Sequence, residues 1–152
     1  MRLYYDTYEN KKYDCIECLE GEIISNIYID EEDIVTFTTK SGLRVTFDGS
    51  GGYSKIKCYL EIDESDLLNL IGEKIIKANE KEVEYNNGDI FFFYDIETFN
   101  NTIQLRFVGE DDSHYASQVY IYRTLTNEEK EVKRKEALDM IDKIKKDIES
   151  IN

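Results

Sequence analysis

The sequence predicts an α+β fold that is mostly β: two tandem β-rich repeats in one pseudo-two-fold domain, then a C-terminal amphipathic helix. Three observations predict it. Short segments recur in a fixed order at a slowly growing offset. Alternating apolar residues between glycine-bearing turns run through the first 125 residues. Beyond residue 125 glycine is absent and the apolar residues take helical spacing.

The recurrence is read as four pairs. "LEGEIISNI" (Leu19–Ile27) matches "LIGEKIIKA" (Leu70–Ala78) at an offset of 51. "DIVTF" (Asp33–Phe37) matches "DIFFF" (Asp89–Phe93) at 56, and "LRVTFDG" (Leu43–Gly49) matches "IQLRFVG" (Ile103–Gly109) at 60. "GYSKIKCYLEI" (Gly52–Ile62) matches "HYASQVYIYRT" (His114–Thr124) at 62. An offset that only grows describes a duplication with small loop insertions in the second copy. The repeats span about residues 14–62 and 65–124 of a single domain, 1–125.

Each repeat opens with a short helical element. In "ESDLLNLIG", Ser65 is placed to cap and Gly72 to take the left-handed position that ends the element. "DCIECLEG" is its counterpart. A short strand follows, then a hairpin with period-two alternation around Lys40-Ser41-Gly42, and around Asn100-Asn101 in the second copy. A last strand closes each copy: Ile56, Cys58 and Leu60 against Val119 and Ile121. About eight strands and two short helices are expected. One repeat alone exposes an apolar face, so two must pack together. Tyr4, Tyr5 and Tyr8 are expected to pack over one end.

Residues 126–152 read as one helix, opened by a Thr126/Glu129 capping box. Ala137, Ile141, Ile144, Ile148 and Ile151 fall at 4-3-4-3 spacing. The stripe suits docking on the protein's own sheet or, alternatively, homo-oligomerisation or docking on a partner.

The net charge is −14. Residues 1–125 hold 25 acids and 12 bases, whereas residues 126–152 hold 8 and 7. Such a body repels nucleic acid and anionic membranes, where cationic contacts to phosphate dominate, and attracts basic protein surfaces. No apolar run approaches the ~20 residues that span a bilayer. With no basic-then-apolar opening segment, a soluble, cytosolic protein is expected.

The candidate chemistry is sparse. "GEDDSHY" holds Glu110, Asp111, Asp112, the only histidine (His114) and Tyr115. The repeat places it opposite "GSGGY", a glycine turn without histidine, so the connection is structural first and its acids are candidates for recognition. Asp30, Glu31, Glu32 and Asp33 form a second acidic turn. Cys15, Cys18, Cys58 and His114 give a Cys3His inventory, but with one Cys-x-x-Cys and long remaining spacings; buried cysteines are favoured over zinc. No nucleophile–base constellation is present, so no catalytic residue, metal or cofactor is assigned.

"SDLLNLIGEKIIKANE" followed by "TIQLRFVGEDDSHYASQVYI" resembles a family of uncharacterised proteins of tailed phages and prophages. "LEGEIISNIYIDEEDIVTFTTKSGLRVTF" resembles the family's upstream Leu-x-Gly-x-x-Ile and threonine-rich hairpin. The likeness covers about residues 15–124. The family's Gln-Asp-Cys-Cys-Glu-like element is replaced here by "DGSGGYSKIKC". The resemblance implies phage origin and fold, and no chemistry.

These readings lead to one expectation and one alternative. The first is a small acidic, non-catalytic protein that binds and inhibits a host protein with a basic surface, in the manner of an anti-CRISPR or anti-restriction protein. Its contacts would be Asp30–Asp33, Glu110–Asp112 and Tyr115. The alternative is a small-molecule or nucleotide module, a sponge for a defence signal. Its pocket would lie between the repeats, with Arg44, Arg106 and Tyr53 as ligands.

Overall fold

A computed structural model describes residues 10–50, 57–110 and 117–151. It contains ten strands in two antiparallel sheets. The first repeat gives a 3-10 turn (Ile16–Leu19), β2 (Ile24–Ile29), β3 (Val35–Thr39), β4 (Arg44–Asp48) and β5 (Tyr59–Leu60). The second gives α1 (Glu64–Leu68), β6 (Ile75–Glu80), β7 (Glu84–Asn86), β8 (Asp89–Thr98), β9 (Thr102–Glu110) and β10 (Tyr120–Thr124). β1 (Lys11–Tyr13) precedes them and α2 (Asn127–Ile151) follows. β1 and β7 raise the count above the eight expected. "YNNGD" joins β7 to β8: Asn87 and Gly88 both have positive φ, the Asn-Gly hairpin turn.

The repeats exchange their last strands. The first sheet runs β1-β10-β4-β3-β2 and the second β5-β9-β8-β6, with β7 also on β8. Thus β10 of the second repeat closes the sheet of the first, with Ile121 opposite Phe47. β5 of the first closes the sheet of the second, with Leu60 opposite Phe107. This corrects the expectation that each copy closes itself. Phe47 and Phe107 are equivalent at offset 60, so the exchanged strands match at 61, one less than the loop before them suggested. β3 and β8 also match differently. Ile27 faces Phe37 and Ala78 faces Ile96, which sets their offset at 59 rather than 56.

A local pseudo-dyad explains why "GExII" occurs twice. Gly21 N donates to Ile75 O (2.8 Å) and Gly72 N to Ile24 O (2.7 Å). Ile24 N donates to Glu73 O (3.0 Å) and Ile75 N to Glu22 O (2.8 Å). Both glycines have φ near +85°, where a side chain is strained. Gly72 follows a turn beyond α1 rather than its last residue, and Asp63, not Ser65, caps α1 by accepting from Ser65 N (3.0 Å). Each glutamate clamps the hairpin turn of its own repeat. Glu22 accepts from Thr39 and Ser41, and Glu73 accepts from Asn100 and Asn101.

Phe37, Phe47, Tyr94 and Phe107 fill the space between the sheets. Phe47 meets Tyr94 at 5.2 Å and Phe107 at 6.4 Å between ring centres. Tyr94 lies directly opposite Glu80 in the β6–β8 ladder, and burial together with that carboxylate pushes its phenol well above the usual range. At one end β4 and β9 finish against Cys58. A Cβ on Gly49 would sit 2.6 Å from the Cys58 Cβ, and one on Gly109 3.1 Å from its Sγ. Here glycine permits close approach rather than an unusual φ.

Candidate functional site

The Cys58 end gathers the Asp30–Asp33 turn and Glu110. β3 begins there, opposite the end of β4, so the Asp30–Asp33 turn lies at this end. Asp33 Oδ2 accepts from Leu60 N (3.1 Å), which ties that turn to the exchanged strand of the second sheet. Glu110 ends β9 beside it, and Asp89 is its cross-strand neighbour. Of the predicted acids, Asp30 and Asp33 are occupied in holding the backbone. Asp30 Oδ1 accepts from the amides of Glu32 (2.8 Å) and Ile34 (3.0 Å). Glu31, Glu32 and Glu110 are exposed. Asp111, Asp112, His114, Tyr115 and Tyr53 lie outside the described residues.

Sequence reasoning missed the surface beside these acids. Three consecutive phenylalanines in an alternating strand cannot all face one core. Phe92 points inward, while Phe91 and Phe93 lie on the outer face of the second sheet, 6.3 Å apart and stacked. Phe91 pairs with Val108, and Val108 with Tyr59, which is 56% exposed. Lys57 Nζ lies 5.1 Å above the Tyr59 ring. Glu84, Asp89 and Glu110 rim this row, and Arg106 pairs with Glu61 next to it. Asp89 and Glu110 are like charges directly opposite each other, an unfavourable pair in a sheet.

The outer face of the first sheet is different. Its central row is Tyr13, Tyr122, Thr46, Thr36 and Tyr28. The two threonine hydroxyls bond each other at 3.2 Å. Thr46 is buried in this row and Tyr28 exposed, whereas the second sheet turns the half-buried rings of Phe91 and Phe93 outward.

Arg44 and Arg106 do not converge. Both are exposed, Arg44 on the first sheet and Arg106 on the second, and the aromatic core separates the sheets. In the matched strands Arg44 corresponds to Gln104 and Arg106 to Thr46. Among the described residues, the space between the sheets is filled by Phe37, Phe47, Tyr94 and Phe107.

The cysteines are also separated in chain context: Cys15 stands at the N-cap of the 3-10 turn and is exposed rather than buried, Cys18 lies within that turn, and Cys58 packs between the ends of β4 and β9. Burial pushes the Cys18 thiol up to about 12, helped by the charge of Asp14, and Cys58 to about 11. Among the described residues no three His, Cys, Asp or Glu side chains group as a metal site requires. No helix among them is long and apolar enough to cross a membrane.

Comparison with protein-family models, curated proteins and solved structures finds no match.

Proposed function

We propose that this chain is a non-catalytic, acidic protein-binding module that inhibits a partner bearing a basic surface. The observation that carries the reading is the juxtaposition on the second sheet. An outward-facing Phe91–Val108–Tyr59 row, half-buried at Phe91 and Val108 and exposed at Tyr59, with Phe93 stacked beside it, sits inside a rim of Glu84, Asp89 and Glu110. An apolar centre with a polar rim is the anatomy of a protein interface. A cationic side chain set between Asp89 and Glu110 would relieve their mutual repulsion. Proteins that handle nucleic acid carry such cations for phosphate. The phage resemblance would make the partner a host defence enzyme, acting in the cytosol, whose nucleic-acid groove the module occupies. The filled core gives the nucleotide-module alternative no comparable support.

The test is a pull-down from bacterial lysate across a salt series, comparing the wild type with Glu110→Gln/Asp89→Asn. A basic protein retained by the wild type at low salt, and lost from the variant or at moderate salt, is expected. Equal retention by both would remove this rim from the interface. Failure of the wild type to retain any basic protein would overturn the reading.

A further inference from the structure

We propose that the C-terminal helix pairs antiparallel with the same helix of a second copy of this chain. The proposal does not depend on the binding face described above.

The helix is fixed at its root and uncovered beyond it. Arg123 is nearly buried; its Nε donates to Asp14 (2.6 Å), and its two terminal nitrogens donate to Glu129 (2.6 and 3.0 Å). Lys12 also meets Glu129 at 3.1 Å. Thr126 and Glu129 complete the predicted capping box, amide to carboxylate at 2.9 Å and amide to hydroxyl at 3.2 Å. Lys133 Nζ bonds Asn10 Oδ1 at 3.0 Å. Every described residue from Arg134 onward is exposed. Ile141, Ile144 and Ile148 stand 48%, 52% and 57% exposed. The helix therefore does not dock on its own sheets, which corrects one of the two expectations.

Spacing and charge identify the occupant. A 4-3-4-3 repeat makes a narrow seam that suits another helix, whereas packing on a sheet favours a broader stripe. The segment carries 8 acids and 7 bases, so it offers a basic partner or an anionic membrane little net attraction. A copy of itself meets no net repulsion.

Orientation follows from the body, whose residues 1–125 carry net −13. Parallel pairing would hold two such bodies together. Antiparallel pairing sets them at opposite ends of a helix about 37 Å long, well beyond the ~8 Å screening length. One antiparallel register puts Ile141 against Ile144 of the second copy and Ala137 against its Ile148, small against large. Residues 127–133, which carry no stripe, hold the end of the second helix about 10 Å clear of the body. Isoleucine at both seam positions would favour three or more chains in a parallel coil, so the assembly's mass discriminates.

The experiment is light scattering on the full chain over a wide concentration series. The wild type should show twice the chain mass. Ile144→Asp should be monomeric, with the thermal transition of the β body retained. Orientation is read by oxidative cross-linking in a Cys15→Ser background. Arg134→Cys/Ile151→Cys should link two chains efficiently, and Ile151→Cys alone should not. A monomeric wild type, a trimer, a dimer that survives Ile144→Asp, or efficient linking by Ile151→Cys alone would overturn the proposal.

Discussion

Asp30–Ile34 in the first repeat and Asp89–Phe93 in the second occupy equivalent positions at offset 59, yet they are built differently. The first is a turn held by its own acids, with Asp30 on two amides and Asp33 on Leu60 N. The second is the opening of a longer strand that carries β7 on its edge and presents Phe91 and Phe93 outward. The clamps at Glu22 and Glu73, the paired glycines and the exchanged strands are the same in both halves. What the halves share maintains the fold. What they do not share is the place to look for recognition.

The largest expected effect tests the shared part. Phe47→Ala removes the ring that touches Phe37, Tyr94 and Phe107, and should cost about 3–5 kcal/mol in chemical denaturation. Phe91→Ser/Phe93→Ser, on the unshared face, should leave the transition much closer to wild type. A Phe47→Ala loss no larger than that of the double variant would break the division between core and face.

Gly109→Ala probes the exchange. The new Cβ would lie 2.2 Å from Ser117 Oγ and 2.3 Å from its Cβ. Overpacking should lower stability by about 3 kcal/mol, and Ser117→Gly should restore part of it. A Gly109→Ala protein as stable as wild type would mean that β9 does not end against the segment leading into β10.

Smaller still are the twin clamps. Glu22→Ala and Glu73→Ala should each cost about 1 kcal/mol, and by similar amounts, because each removes hydrogen bonds to one hairpin turn. Strongly unequal losses would show that the pseudo-dyad is a likeness of backbone only. Least in size is the acid response of the helix root. Hydrogen bonds from Arg123 hold the Glu129 carboxyl well below the usual carboxylate range. A depressed folded-state value means its stabilisation is present above the ordinary value of about 4.5 and is lost as pH falls below that. Protection against amide exchange at residues 127–133, with the intrinsic pH dependence of exchange divided out, should fall on acidification while that of the β body holds, and Glu129→Gln should show the lowered protection already at neutral pH.

Much of this was legible in the sequence. The duplication, both hairpins, the terminal helix and its capping box follow from spacing and turn chemistry. The strand exchange does not, because Ile121 alternates identically whether it faces Phe47 or Phe107. The β3–β8 match was misplaced because Asp33–Phe37 and Asp89–Phe93 look alike while only the register of Phe37 and Ile96 sets the true offset. The outward rings were hidden in plain composition: "DIFFFY" reads as core until alternation is imposed on it. Asp30 and Asp33 read as free surface charge because a sequence does not show which backbone amides a carboxylate will accept from.

The most direct test sets the two outer faces against each other. Phe91→Ser/Phe93→Ser on the second sheet and Tyr28→Ser/Tyr122→Ser on the first would be carried through the same lysate pull-down at low salt, each checked for an intact thermal transition. Loss of the retained basic protein from the phenylalanine variant alone is the predicted result. Retention by that variant, or loss from the tyrosine variant instead, would contradict the assignment of recognition to the face the repeats do not share.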